Sequence, residues 1–307
     1  MTRVSSFGQN QALLQGILRN QEQLFEAQRQ VNTGKKSDQY QGISDEATTL
    51  VASRSLFSRT DSYQTVAENV SRTTDIYDVQ LGLILDTARD LRQQLLTFVA
   101  NNDATGFDIV TAENYGLTAD ALNTKVGNRF IFGGAAASTP PVVASELVDL
   151  QALPTVPDAF DNDQLKSSAR VADSVTIEYG ILADEIGTDL LQIYRDLADI
   201  NTGALGPVDG ELNPAQVTAL TQQIAALDTA VQNIQKEQML NGLKYSKLQD
   251  ITDQQEAQKI FLETFISDIE DVDIAEAISR LNNTQTALEA SYRVVGQTTR
   301  LSIVDFI

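Results

Sequence analysis

Residues 70–98 read VSRTTDIYDVQLGLILDTARDLRQQLLTF, and within them Val70, Tyr77, Ile84, Leu91 and Phe98 recur every seven positions. Leu81, Ala88 and Leu95 fill the alternate places, so apolar side chains line one face of a helix in the three-four spacing of a coiled-coil seam. No proline occurs between residues 45 and 100. At 1.5 Å per residue such a helix reaches about 80 Å, wider than a compact domain, which predicts a rod. A stripe of this length needs a partner.

Working outward, a second seam starts after Asn213-Pro214, a favoured opening for a helix, and runs through Val217, Leu220, Ile224, Leu227, Val231 and Ile234. Shorter stripes occupy the two ends: Leu13, Ile17, Leu24 and Val31, then Ile274, Ile278, Leu281, Leu288 and Val295. Four of the six prolines (Pro140, Pro141, Pro154, Pro157) crowd between them with turn residues and short β-branched runs such as Val175 to Ile177. The expected fold is mainly α: an elongated helical bundle or coiled coil built from paired N- and C-terminal arms, with a small β-containing central insert. The expected divisions are an N-terminal arm (1–44), rod helices (45–134), an outward insert (135–180), returning rod helices (181–270) and a C-terminal arm (271–307). In detail, the first helix covers 8–33 and ends at Gly34. Ser44 caps the next with Asp45 and Glu46 in its first turn. A third helix spans 108–126, and Asn128 to Gly134 forms a short strand entering a turn.

Composition narrows the function. The chain has 307 residues and a formal charge of -20, which disfavours nucleic acid and anionic membrane as partners. It has no Cys, His or Trp, so thiolate chemistry, the commonest neutral-pH base and the commonest transition-metal ligand are all absent. An enzyme is not expected, nor a cofactor or a metal site. No apolar run reaches signal-peptide or membrane-span length.

Three local patterns invite a chemical reading and fail it. Gly34-Lys35-Lys36-Ser37 lacks the first glycine of a phosphate loop, which would stand at Arg29, and has no preceding strand. Asp45-Glu46-Ala47-Thr48 without a nucleotide loop is a helix start. The acidic group Asp268, Glu270, Asp271, Asp273 and Glu276 lacks the spacing and turn glycine of a calcium loop and reads as a solvated helix junction. The central seams are read as core. The terminal stripes, which stay apolar through Leu301, Ile303, Val304, Phe306 and Ile307, are read as packing contacts between arms and between subunits: Leu13, Ile17, Leu24, Val31, Ile274, Ile278, Leu281, Leu288, Val295, Leu301 and Phe306.

These ends match a known pattern. Leu13, Ile17 and Leu24 followed by Val31-Asn32-Thr33-Gly34-Lys35-Lys36 resemble the N-terminal region of the bacterial flagellin superfamily, and Ile274 to Leu281 through Tyr292 is similar to its C-terminal helix. Asn128-Arg129-Phe130-Ile131-Phe132-Gly133-Gly134 with Pro140-Pro141, and the end Leu301-Ser302-Ile303-Val304-Asp305-Phe306-Ile307, resemble the hook-associated protein 3 type. Ser44-Asp45-Glu46-Ala47 is closer to filament flagellin. The resemblance implies a structural subunit exported unfolded through the flagellar type III apparatus and placed at the junction of hook and filament. Its implied partners are further copies of itself in a ring-like layer, the other hook-associated protein, flagellin, and an export chaperone on the C-terminal arm. Filament flagellin is the alternative, and a cytosolic coiled-coil adaptor the alternative of another class.

Overall fold

The computed structural model describes the backbone of residues 2–304 and the side chains of residues 11–297. Seven α-helices are present among the described residues: α1 (Thr2–Thr33), α2 (Ala47–Asn101), α3 (Phe107–Leu122), α4 (Leu147–Ala152), α5 (Ala183–Thr202), α6 (Pro214–Glu270) and α7 (Ile274–Val304). Two antiparallel hairpins, β1 (Lys125–Val126) with β2 (Arg129–Phe130) and β3 (Ser168–Ala172) with β4 (Val175–Glu178), complete the regular structure. The fold is mainly α with β structure confined to these short pairs, as the patterning predicts. Contacts divide the chain into two compact units: residues 1–59 with 258–307, and residues 60–257. The division falls inside α2 and α6.

The larger unit holds the main core. Tyr77, Leu81, Ile84, Ala88, Leu91 and Leu95 of α2 are buried in one cluster with Leu220, Leu227 and Ile234 of α6, so the two seams share a core. Periodicity alone does not reveal the third party. Helix α5 drives Ile186, Leu190, Leu191, Tyr194 and Leu197 into the same cluster, and α3 adds Phe107, Tyr115 and Leu122. Two hydroxyls buried with them are paired: those of Tyr194 and Thr118 lie 2.9 Å apart, and the Tyr194 hydroxyl donates to the Asn114 carbonyl at 3.0 Å. Beyond Tyr77 the seam passes a polar layer, where Asn241 donates to the Thr74 carbonyl at 2.7 Å. It then reaches a second cluster in which Val171 and Ile177 of the β3–β4 hairpin cover Ala67, Val70 and Leu248.

Helix ends explain where the local reading holds and where it slips. Asn213 caps α6, its carboxamide oxygen accepting the backbone N–H groups of Ala215 and Gln216. Ser44 is not a cap: residues Tyr40–Ile43 form a 3-10 turn, Ser44 follows it in helical conformation, and α2 begins only at Ala47, leaving Asp45 and Glu46 ahead of the helix. Helix α1 starts earlier than residue 8 and stops where expected, with Gly34 at φ 71°, the left-handed conformation glycine takes at no steric cost. Helix α3 stops four residues short of 126. Asn123 leaves the helix and exchanges two hydrogen bonds with the Val142 backbone, each 2.9 Å, which ties the insert to the helix end. The strand expected within Asn128 to Gly134 is a two-residue piece of a tight hairpin whose turn is Gly127-Asn128, followed by a 3-10 turn at Ile131–Gly133.

Candidate assembly interface on the paired arms

The smaller unit is built on α1 and α7, which pack antiparallel. Along α1 the cross-contacts descend α7: Asn20 donates to Ser291 Oγ at 3.1 Å, Gln21 to the Tyr292 hydroxyl at 2.7 Å, and Arg280 donates to Gln30 Oε1 at 3.2 Å. Between these polar pairs lies a thin apolar seam. Ile17 and Ala27 are buried on one side and Ala277 and Leu288 on the other. Leu13, Leu24, Val31, Leu281 and Val295 are half-buried, while Ile274 and Ile278 are each 43% exposed. The side chain of Leu301 and all of Phe306 lie outside the described residues.

A different set of apolar side chains faces outward. Leu14, Leu18 and Phe25, the last 68% exposed, repeat at spacings of four and seven on α1, one residue out of phase with the seam. On α7, Ile274, Ile278, Tyr292 and Val294 are exposed as well. The same unit exposes Val51, Ile260 and Phe261, and Phe261 stacks on Phe265 with ring centroids 6.2 Å apart. Exposed apolar residues repeating in register along a helix make a continuous apolar stripe on its outer side. Charge is divided in the same sense. The smaller unit carries eleven basic and thirteen acidic residues, net -2, while residues 60–257 carry eleven basic and twenty-nine acidic, net -18. The surface with the outward stripe is thus the one on which like-charge repulsion between copies is weakest.

The turn after α1 and the junction between α6 and α7 are fastened together by a clasp. Lys35 and Asp271 form an isolated antiparallel bridge, the Lys36 N–H donates to the Glu270 carbonyl at 2.6 Å, and the Val272 N–H donates to the Gly34 carbonyl at 2.9 Å. Side chains reinforce it. Glu270, its side chain 6% exposed, accepts from Lys35 Nζ on Oε2 and pairs through Oε1 with the Arg54 guanidinium. Burial pushes the Glu270 carboxyl up, but the hydrogen bonds and charges of Lys35 and Arg54 outweigh it and hold the group below the usual glutamate range. The Gly-Lys-Lys segment is therefore a main-chain splice, and one member of the acidic group beside it is its buried counter-ion. Sequence spacing gives no sign of this, because Lys35 and Glu270 are 235 positions apart. Among the described residues no group of three or more carboxylates is placed to hold a metal ion, and no helix is long and apolar enough to cross a membrane.

Comparison with known proteins agrees with this architecture. Residues 224–307 match the bacterial flagellin C-terminal helical region. Comparison with curated proteins yields no match. Among solved structures, a Vibrio parahaemolyticus chain described as a flagellar hook-associated protein superposes with a TM-score of 0.58 at 17% identity, over 72% of this chain and 96% of that one. Bacillus cereus FlgL superposes with a TM-score of 0.53 at 12% identity, over 71% of this chain and 99% of its own.

Proposed function

We propose that this flagellin-like chain is a structural subunit of the bacterial flagellum that forms the layer joining hook to filament. One observation carries the reading: the paired arms satisfy each other along Ile17, Ala27, Ala277 and Leu288 and still present Leu14, Leu18 and Phe25 to solvent in helical register. The flagellin-type C-terminal region and a fold shared with hook-associated chains support the flagellar setting. In this role the outward stripe packs against further copies and against neighbouring axial proteins, the other hook-associated protein on one side and flagellin on the other. Export proceeds unfolded through the type III apparatus, with a chaperone covering the C-terminal arm until assembly, and the protein acts outside the cell. The role is mechanical, with no catalytic step.

Cells lacking the gene provide the test. The expected phenotype is hooks without filaments and flagellin lost to the medium. A filament flagellin, the alternative that the C-terminal match also accommodates, would give bare hooks with no flagellin in the medium. Normal filaments on intact hooks would overturn both.

A further inference from the structure

The apolar seam between α1 and α7 does not by itself say which chain's arms should pair. Its fully buried hydrophobic members number four among the described residues, Ile17, Ala27, Ala277 and Leu288, and two of these are alanines. The heptad-spaced sets Ile17, Leu24, Val31 and Leu281, Leu288, Val295 fit the same stripe on a second copy equally well, which is the usual route to exchanged arms. What distinguishes pairing within a chain is how the arms are joined to the rest of it. Here both joints meet at one place. The end of α1 at Gly34 and the start of α7 after Asp273 are held side by side by the main-chain bridge, by Lys36 Nζ on the Asp268 carbonyl, and by Glu270 between Lys35 and Arg54.

We propose that this clasp commits the two arms to pair within one chain, and that breaking its ion pairs at the Glu270 carboxylate lets an arm pair with that of a second copy. Holding the two joints together sets a high effective concentration of α7 around α1, which a free copy in dilute solution cannot match. Releasing Glu270 lowers it, because this one buried carboxylate joins Lys35 of the turn after α1 and Arg54 of α2 to the end of α6. The inference concerns the arm pair itself and stands independently of the flagellar role.

Because the chain has no cysteine, introduced ones report without background. Gln23 of α1 and Thr284 of α7 line the same surface hollow, so Gln23→Cys with Thr284→Cys in one chain, treated with a short bismaleimide, measures pairing within a chain. A dilute mixture of the two single variants measures pairing between chains. With the clasp intact the first reaction dominates. In Glu270→Gln its yield falls about tenfold, the loss expected for a charged hydrogen bond, and the mixture gains a cross-linked dimer. Lys35→Met with Arg54→Met removes the clasp from its other side and repeats the result should Glu270→Gln fail to fold. Glu276→Gln, at an exposed ion pair with Arg280, leaves both yields unchanged. An unchanged yield within the chain in the clasp variants, or a fall without any gain of dimer, overturns the inference. A dimer equally present in Glu276→Gln also overturns it, since the cross-link would then report assembly contacts and leave the flagellar reading untouched.

Discussion

Ile17 and Leu18 are chain neighbours with opposite surroundings: Ile17 is 8% exposed in the seam against α7, and Leu18 is 63% exposed on the other side of the same turn. Successive residues on a helix are about 100° apart, so this one-residue step separates the contact made within the chain from the outward stripe proposed to meet other chains. Asp at the two positions should therefore fail differently. Leu14→Asp with Leu18→Asp leaves the fold stability within about 0.5 kcal/mol, as surface changes do, and abolishes self-association measured by sedimentation. Ile17→Asp places a charge in the seam at a cost on the order of 2–4 kcal/mol and releases α1, read as faster amide exchange along it. Self-association of Leu14→Asp, Leu18→Asp equal to wild type would reject the outward stripe as a contact.

The two units should also differ in local stability. The α1–α7 seam is thin and partly polar, whereas Tyr77, Leu81, Ile84, Leu91 and Leu95 are almost fully buried among α3, α5 and α6. Amide exchange in the isolated chain at low concentration should be faster over 11–31 and 277–295 than over 77–95, because opening the arms exposes less apolar surface. Equal protection in the two regions would show that the arms draw stability from something other than their seam.

How much of this the amino-acid order discloses depends on the number of apolar faces a helix carries. In α2 the apolar face is single and wide, so a spacing of seven from Val70 to Phe98 finds residues that are buried or half-buried. In α1 the apolar residues come as adjacent pairs, Leu13-Leu14, Ile17-Leu18 and Leu24-Phe25. Periodicity detects both members and cannot rank them. Structure alone shows that the first of each pair turns toward α7. The clasp is hidden for another reason: its main-chain bonds through Gly34, Lys36 and Val272 leave no mark in residue type, and Glu270, which Lys35 meets across 235 positions, sits among acidic neighbours that look alike in sequence.

Acid should loosen the clasp before it unfolds the larger unit. The Glu270 carboxyl is held below its ordinary value near 4.5, so the stability it contributes is present above that value and is lost as pH falls through the lower folded one. Lys35 and Arg54 are each exposed by more than a third, so solvent screening limits the effect. Protection factors along α1, corrected for the intrinsic exchange rate at each pH, should fall from pH 6 to pH 3, and the fall should shrink in Glu270→Gln, which has no carboxylate to titrate. The same acid response in Glu270→Gln would place its origin elsewhere.

Alkali should act on the other unit, through its buried tyrosines. Desolvation raises all three: Tyr77 to about 12, Tyr115 and Tyr194 further still. For an acid whose folded pKa lies above the unfolded value near 10, the neutral form is the folded one. Stability is therefore complete below pH 10 and declines as pH rises above it. Of eight tyrosines, these three should resist ionisation in a spectrophotometric titration until the chain unfolds, then appear together in one cooperative step. Tyr194→Phe should remove one from that step. It should also lower stability by about 1–2 kcal/mol, since the Thr118 hydroxyl and the Asn114 carbonyl each lose a buried partner. Eight tyrosines titrating normally in the folded chain, or a Tyr194→Phe variant as stable as wild type, would show that water reaches this core.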